Sequence, residues 1–299
     1  MQTELHLQKL ILMKKPVSLF YVLSLTCFIL LTGCNHNNVS EDSSLKKFFD
    51  ENNVMGSFGL FNNGTGKFTV YNLARYRDST YLPASTFKII NSLIGLQTGK
   101  IADDSMVIKW DGVIRTYPGG DTATGWNKDL TMYDAFRASS VPYYQEVARR
   151  IGKDTMQRWL NTLHYAAGVK DTGYKIRSAI DTFWLDNSMK ITADEQMYIV
   201  KNLYFRSLNP FFKTYQDVVK RAMIIEQNTH HTLAYKTGWA KNENGNHLGW
   251  VVGWIEEDGH PYFFVLNIES AKPDFDMVTV RKKILMDILK SKGFLNTAK

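Results

Sequence analysis

The chain has 299 residues, of which 44% are hydrophobic and 13% aromatic, and its formal net charge is +7. This is enough apolar material for one sizeable core, or for two lobes that share a cleft. The charged residues are interspersed, and no basic run is interleaved with aromatic residues, so nucleic acid is a poor candidate partner. No repeat at solenoid or propeller spacing is present, which argues against repeat architectures.

Residues 1–34 have the pattern of a lipoprotein signal peptide. Lys14 and Lys15 precede an apolar run over residues 17–31, which is shorter than the roughly 20 residues that a spanning helix needs. The run ends in Leu-Thr-Gly-Cys at residues 31–34, which resembles a bacterial lipoprotein box. We therefore predict an exported lipoprotein, anchored to a membrane through lipid on Cys34 and facing the periplasm. A plain secretory signal with an incidental Cys34 is the alternative, and translation from Met13 stays open.

The cysteines predict a mature chain without disulfides. Cys27 would leave with the signal and Cys34 would carry lipid, so no thiol pair remains to oxidise. Residues 35–47 are polar and are predicted to form a tether. The folded domain is predicted to span residues 48–299, and the sequence leaves its oligomeric state open.

The periodicity of the chain predicts two β regions separated by helices. Strand-like runs lie at 56–61 and 67–71, joined by an Asn- and Gly-rich turn, and again at 232–240, 248–256 and 262–268. Helical spacing is found at 86–96, 132–151, 154–163, 193–203 and 277–289. These elements indicate an α+β fold, in which N- and C-terminal strands form one antiparallel sheet flanked by helices. The region inserted between them is mostly helical, and a cleft is expected where the two lobes meet.

Ser85 and Lys88 form the first candidate pair for catalysis. Residues three apart share a helix face, so Lys88 is expected one turn after Ser85 at the start of an apolar helix. Burial lowers the pKa of a lysine and allows it to act as a base toward a serine nucleophile. Ser-x-x-Lys is weak evidence alone, because Ser43 and Ser44 also start such a motif in the predicted tether. The buried helix selects Ser85; a helix-capping serine with an extended lysine is the alternative.

Two further elements gain weight from their order along the chain. Ser139 lies in the run Ser-Ser-Val (139–141), which ends a helical stretch that begins at Thr131, and offers a hydroxyl that could relay a proton. Residues 236–239 read Lys-Thr-Gly-Trp on a predicted strand, where Lys236 and Thr237 suit a substrate carboxylate. Gly238 would let a ligand approach the backbone, and the backbone N–H of Trp239, with that of Ser85, would form an oxyanion hole. Alone, each tripeptide is more often an ordinary helix end or edge strand.

The three elements, in this order, resemble the active-site serine β-lactamases and penicillin-binding proteins. Ser-x-Val in the second element is typical of class D β-lactamases (the oxacillinase family), and the resemblance extends to segments 81–96, 108–112, 180–185 and 249–254. It implies hydrolysis of β-lactam antibiotics through an acyl-enzyme on Ser85. The required small molecule would be carbon dioxide or bicarbonate, with no metal or organic cofactor.

The resemblance also assigns roles to further residues. Lys88 would be carboxylated to N6-carboxylysine and act as the general base, in a pocket walled by Val141 and Leu185. Trp184 would donate its indole N–H to this carbamate, and Ser139 would shuttle a proton. Arg281 on the last helix would pair with the substrate carboxylate; Lys282 and Lys283 are interpreted as surface charge, and a register slip by one stays open.

One segment departs from the family pattern: residues 165–167 read Tyr-Ala-Ala where the family usually has Tyr-Gly-Asn. Losing the glycine removes easy access to positive φ, so a changed loop beside the cleft is expected. The main rival function is a penicillin-binding sensor domain that is acylated without turnover, and a second is a D,D-peptidase. Neither a Gly-x-Ser-x-Gly elbow nor a His-Glu-x-x-His motif is present, and metal binding by His230 and His231 is not expected.

Overall fold

The structure is a computed structural model that describes residues 38–117, 120–168 and 173–295. The predicted signal peptide with Cys34 lies outside the described residues. Within the described ranges, no helix is both long enough and apolar enough to cross a membrane.

A seven-stranded sheet forms the centre of the domain. Its order is β1-β3-β2-β9-β8-β7-β6, and β4 pairs with β5 in a separate two-stranded sheet. The strands are β1 (Val39–Glu41), β2 (Met55–Asn62), β3 (Phe68–Tyr71), β4 (Val107–Ile108), β5 (Leu130–Thr131), β6 (Ile224–Gln227), β7 (His231–Lys241), β8 (His247–Glu257) and β9 (His260–Ser270). Neighbours are antiparallel except β1 and β3, which are parallel. The predicted fold, with its N-terminal hairpin and C-terminal meander, is confirmed.

Helices flank the sheet and fill the insertion. They are α1 (Lys46–Asp50), α2 (Leu73–Asp78), α3 (Lys88–Gln97), α4 (Met132–Arg137), α5 (Val141–Ile151), α6 (Lys153–Thr162), α7 (Ala193–Tyr204), α8 (Lys213–Met223) and α9 (Met277–Ser291). A 3-10 turn at Ala84–Phe87 precedes α3. The helical spacing over 132–151 corresponds to two helices, and the first helical stretch ends at the Ser-Ser-Val run as predicted, with Ser139 at a φ of +53°. Ser140 then caps α5 by accepting a hydrogen bond from the Tyr143 N–H.

The predicted tether at 35–47 is wrong for its described part. Residues 39–47 form β1, a 3-10 turn and the start of α1. Leu45 is buried in a hydrophobic cluster that also contains Ile284 and Ile288 of α9. Polar composition concealed this segment, because β1 is held by backbone pairing with β3 and only Leu45 enters the core.

The two faces of the sheet are covered by different hydrophobic clusters. Trp250 and Val252 of β8 pack into the larger cluster with α3, α5 and α7. Val251 and Ile255, on the opposite face of the same strand, pack into the cluster that contains α1 and α9. Because β8 is buried on both faces, the inserted helices pack on one face of the sheet and α9 packs on the other. β7, the neighbour of β8, therefore lies between these two groups of helices.

Candidate active site

Ser85 and Lys88 lie in hydrogen-bonding contact. Ser85 is in the 3-10 turn, Lys88 is the first residue of α3, and Lys88 Nζ donates to Ser85 Oγ at 2.7 Å. Lys88 is 0% exposed, and burial alone lowers its pKa from 10.5 to about 7. A substantial fraction of this amine is therefore neutral at physiological pH, as a base beside a nucleophile requires.

Backbone strain is present at or next to both candidate serines, as it is at several other described positions. Ala84, immediately before Ser85, has a φ of +49°, and Ser139 has a φ of +53°. Residues other than glycine adopt such angles at a cost of about 1–2 kcal/mol. Strain of this kind is typical of functional sites, where the surrounding structure fixes a side chain in an unfavourable conformation.

Lys236 links β7 to Ser139. Its Nζ donates to Ser139 Oγ at 2.9 Å and to the backbone oxygen of Thr237 at 3.0 Å. Burial lowers the pKa of Lys236 well below its usual value, and repulsion from Lys88 and Arg281 lowers it further. Since Ser139 Oγ accepts from Lys236, its own hydroxyl hydrogen is free to point toward another acceptor in the cleft.

A cavity of about 960 Å³ brings most of the predicted site residues together. Thr237 and Trp239 of β7 line it, and so does Arg281 of α9. The predicted residues that line it are Ser85, Ser139, Val141, Leu185, Thr237, Trp239 and Arg281. The cavity therefore joins the candidate nucleophile to the candidate anion site.

Gly238 is required by packing within the protein, while its expected role in ligand approach stays a prediction. A Cβ at this position would lie 3.0 Å from the backbone oxygen of Pro83 and 3.2 Å from the ring of Trp250. Those atoms belong to the protein interior rather than to the cavity. Glycine is needed here so that β7 can lie against the 3-10 turn that carries Ser85.

Trp184 is fully buried, and its indole nitrogen is unsatisfied. Its Nε1 has no hydrogen-bond partner among the residues that the structure describes. The indole ring stacks on Phe87, the residue before Lys88, with ring centroids 5.3 Å apart. An unpaired buried N–H costs about 1–3 kcal/mol, so this donor points to a bound acceptor.

Arg281 is held against β7 from α9. One guanidinium nitrogen, Nη1, donates to the backbone oxygen of Gly238 at 2.6 Å, and Nε is unpaired within the described ranges. Burial lowers the pKa of Arg281 to about 10, so the group is charged at neutral pH. Gly249 of β8 permits this placement, because a Cβ there would lie 2.1 Å from Sδ of Met277 at the start of α9.

The Tyr165-Ala166-Ala167 segment is buried beyond the end of α6. Ala166 adopts a φ of +57°, the region that favours the glycine usual in the family, and the Tyr165 ring packs on Phe87. None of the three is among the described residues that line the cavity. Residues 169–172, which follow, lie outside the described ranges, so the expected change in the loop stays a prediction.

Sequence reasoning missed a large part of the cavity wall. The missed residues are Tyr117, Asp121, Trp126, Ala138, Lys241, His247, Pro273, Asp274, Phe275, Asp276 and Val278. Tyr117 packs edge-on against Trp126, and Trp126 Nε1 donates to the backbone oxygen of Ala138 at 3.0 Å. Most of these residues lie in loops without a motif. His247, however, could have been found from the predicted meander. Trp239 pairs with Gly249, and His247, two residues before Gly249, therefore lies on the same face of the sheet as Trp239.

No group of three or more His, Cys, Asp or Glu side chains that could hold a metal is found in the described part of the chain. The cavity is lined by Ser85, Ser139 and Arg281, and the buried Lys88 and Lys236 donate hydrogen bonds to the two serines. This fold and site define an active-site serine enzyme, and the family model for the penicillin binding protein transpeptidase domain matches residues 44–290.

Comparison with known proteins narrows this class. The chain is 38% identical to the probable β-lactamase YbxI of Bacillus subtilis, over 88% of this chain and 89% of that protein. The crystal structure of FUS-1, a class D β-lactamase from Fusobacterium nucleatum subsp. polymorphum, matches 86% of this chain and 100% of its own with a TM-score of 0.77 and 33% identity. The regulatory protein BlaR1 of Bacillus licheniformis is 31% identical over 75% of this chain and 35% of its own length. The protein belongs to the class D β-lactamase family.

Proposed function

We propose that this protein hydrolyses β-lactam antibiotics through an acyl-enzyme on Ser85. The observation that carries the proposal is the Ser85 to Lys88 contact, with Lys88 fully buried and its pKa lowered to about 7. Membership of the class D family supports the same reaction. In this reaction Ser85 Oγ attacks the lactam carbonyl carbon, the ring C–N bond breaks, and water later releases the acid.

Lys88 is the general base of both steps, and we propose that it acts as a carbamate. Its neutral amine would attack carbon dioxide, forming an N–C bond and releasing one proton. The unpaired Nε1–H of Trp184 is the donor that would hold the carbamate, while Val141 and Leu185 provide an apolar wall. A carboxylate at this position would accept the proton from Ser85 and later from the hydrolytic water.

Carboxylation would also change the charge state of Lys236. In the unmodified site, Lys88 lowers the pKa of Lys236 by repulsion. A carbamate replaces that positive charge with a negative one, so the pKa of Lys236 would rise and its ammonium form would be favoured. Lys236 would then keep donating to Ser139, whose hydroxyl could pass a proton to the nitrogen released from the lactam ring.

The substrate carboxylate would bind between Thr237 and Arg281. Both residues line the cavity with Ser85, and Arg281 has buried donor capacity that the described residues do not use. A guanidinium binds a carboxylate through two parallel hydrogen bonds, which fixes the orientation of the lactam ring relative to Ser85.

The decisive experiment is hydrolysis of a chromogenic cephalosporin by the mature domain, with and without added bicarbonate. We expect many turnovers, higher activity with bicarbonate and none for Ser85→Ala. A ¹³C NMR signal from labelled bicarbonate should be present in wild type and absent in Lys88→Ala. Stoichiometric acylation without turnover would instead support a penicillin-binding sensor, like the BlaR penicillin-receptor of Bacillus licheniformis, whose C-terminal domain is a structural neighbour.

We also propose that Cys34 carries lipid and anchors the exported protein to a membrane on its periplasmic side. Support comes from the sequence alone, with the short apolar run that ends in Leu-Thr-Gly-Cys at residues 31–34. The wild-type protein should fractionate with membranes and incorporate labelled palmitate, whereas Cys34→Ala should do neither. Incorporation of label by Cys34→Ala would disprove the assignment.

A further inference from the structure

A hydrogen-bonded bridge crosses one end of the catalytic cavity. The indole Nε1–H of Trp239 donates to Nδ1 of His247 at 3.1 Å, and Nε2 of His247 lies 2.9 Å from the backbone oxygen of Pro273. All three residues line the cavity that contains Ser85. His247 is only 6% exposed, so water cannot readily replace either partner.

The two partners fix the state of the His247 ring. An indole N–H can only donate and a carbonyl oxygen can only accept, so Nδ1 of His247 must be the acceptor and Nε2 must carry the hydrogen. This tautomer lets the ring accept from Trp239 and donate to Pro273 at the same time.

Sheet register explains why this contact forms. Trp239 lies directly opposite Gly249, so His247 is its diagonal neighbour on the same face of β7 and β8. The two rings lie 5.8 Å apart with an interplanar angle of 31°. Because Gly249 has no side chain, the Trp239 indole meets no side chain from the residue opposite it and is oriented by His247.

The bridge joins two walls of the cavity that are distant in sequence. Trp239 belongs to β7, whereas Pro273 belongs to the segment between β9 and α9, which also contributes Phe275 and Asp276 to the cavity. His247 also packs against Phe275, with ring centroids 6.4 Å apart. The position of the imidazole therefore sets the spacing between the Trp239 indole and this segment.

We propose that His247 is a positioning residue that determines which substituents fit beyond Trp239. The inference rests on the proposed hydrolysis of β-lactams. Ser85 fixes the lactam carbonyl and Arg281 fixes the carboxylate, so a large side chain on the lactam must use the rest of the cavity, along β7 past Trp239. His247 holds the indole in place as the wall against which this substituent packs.

The test compares a penicillin with a bulky aryl side chain and the penicillin nucleus without an acyl side chain. His247→Leu removes both hydrogen bonds, so we expect KM for the bulky substrate to rise at least about fivefold, the effect of a single hydrogen bond. Its kcat, and KM for the nucleus, should change by less than about twofold on the same reasoning. An equal rise of KM for both substrates would overturn the inference.

A double-mutant cycle isolates the contact itself. Trp239→Phe keeps the ring and the backbone N–H but removes the indole donor, so it should raise KM for the bulky substrate as His247→Leu does. The double variant should raise KM by less than the product of the two single effects, since all three variants lack the same bond. If the two single effects on KM simply multiplied in the double variant, the proposed bridge would be contradicted. His260→Leu, an exposed histidine at the start of β9, is the matched control and should leave KM unchanged.

A measurement on the wild-type protein does not depend on activity. Long-range ¹⁵N NMR at neutral pH should show His247 as the Nε2–H tautomer, assigned by loss of its signals in His247→Leu. The Nδ1–H tautomer, or a rapidly averaging ring, would overturn the bridge even in an active enzyme. A protein that shows the bridge but hydrolyses no β-lactam would instead refute the proposed function.

Discussion

The pKa of Lys88 makes a prediction about pH and carbon dioxide. Only the neutral amine can attack carbon dioxide, and burial lowers the pKa of Lys88 to about 7. Below that pH the amine is increasingly protonated, and the proton released by carboxylation further opposes the reaction. The dissolved carbon dioxide needed for half-maximal activity should therefore be at least about tenfold higher at pH 6 than at pH 8.

The measurement is a titration of initial rates with dissolved carbon dioxide at the two pH values, starting from degassed enzyme. Residual activity of Lys88→Ala at each pH provides the baseline. A requirement for carbon dioxide that does not change with pH would show that Lys88 ionisation does not limit carboxylation.

Trp184 provides a second test of the carbamate. Trp184→Phe keeps an aromatic ring to stack on Phe87 but removes the unpaired Nε1–H. Activity should fall by about tenfold or more, since a buried donor to a charged group is lost, and added bicarbonate should restore part of it. Stability should change little, because the lost packing is offset by removal of an unsatisfied polar group.

Activity as a function of bicarbonate and the midpoint of thermal unfolding should be measured together. Trp159→Phe is the matched control, because Trp159 of α6 stacks on Phe211 and neither residue lines the cavity. An inactive Trp184→Phe that bicarbonate does not rescue would argue against a role in holding the carbamate.

Ala166 carries strain that a single substitution should relieve. Its φ is +57°, where alanine is penalised and glycine is not. Ala166→Gly should stabilise the protein by about 0.5–1 kcal/mol after the greater entropy of glycine in the unfolded chain is subtracted. Thermal unfolding should shift upward by about 2–4 °C for each kcal/mol in a domain of this size.

Ala167→Gly is the internal control for this prediction. Ala167 is not among the residues with positive φ, so glycine brings no relief there and should destabilise the protein by about 0.5–1 kcal/mol. A similar loss of stability in both variants would mean that the backbone at Ala166 is not strained.

At the scale of elements, the contact between β7 and the 3-10 turn determines the geometry at Ser85. Gly238→Ala would place a Cβ 3.0 Å from the Pro83 backbone oxygen, which cannot move without moving the turn. The proposed oxyanion donors, the backbone N–H groups of Ser85 and Trp239, lie on opposite sides of this contact. We expect kcat to fall about tenfold or more, because such donors tolerate little displacement.

Steady-state kinetics and a folding check by circular dichroism would test Gly238→Ala. Gly64→Ala, in the exposed turn between β2 and β3, meets only the Asn62 side chain, at 3.4 Å, and should behave as wild type. Normal kcat in Gly238→Ala would show that β7 and the turn can separate without cost to the reaction.

The sequence predicted the elements whose local signals agree with the fold. The meander β7 to β9 has strongly apolar strands and Asn/Gly turns, and α7 has a capping box at Thr192 and Glu195. It predicted a helix end at the Ser-Ser-Val run but not the positive φ of Ser139, because that strained conformation is held by tertiary contacts such as Lys236 to Ser139. Strand β1 and its pairing with β3 were also missed, since backbone pairing of three residues has no side-chain pattern.

The same reasoning applies to the site. Ser85, Lys88, Ser139 and Lys236 were found because each lies in a short motif, and the structure brings all four together. The aromatic and acidic walls were missed because Tyr117, Trp126 and Phe275 come from loops whose position depends on the whole fold. Motifs identify the reacting groups, whereas tertiary structure determines the shape of the substrate site.

At the scale of the whole molecule, the N-terminal segment expected to be a tether supports the same cluster as the helix of Arg281. Leu45 packs with Ile284 and Ile288 of α9, and Asp42 forms an ion pair with Lys292, which directly follows α9. A chain that begins at Phe48, the predicted boundary, loses these contacts. Burial of Leu45 alone is worth about 1.5–3 kcal/mol, so this chain should be at least about 2 kcal/mol less stable than one that begins at Asn38.

Activity should respond along with stability, because α9 carries Arg281 and rests on the cluster that contains Leu45. Even under conditions where the shortened chain is folded, we expect KM for a β-lactam to rise more than kcat falls, since Arg281 is proposed to bind the carboxylate. Urea unfolding and steady-state kinetics on the two chains would measure both effects. Equal stability and equal KM would mean that residues 38–47 act as a tether after all, despite their place in the sheet and the core.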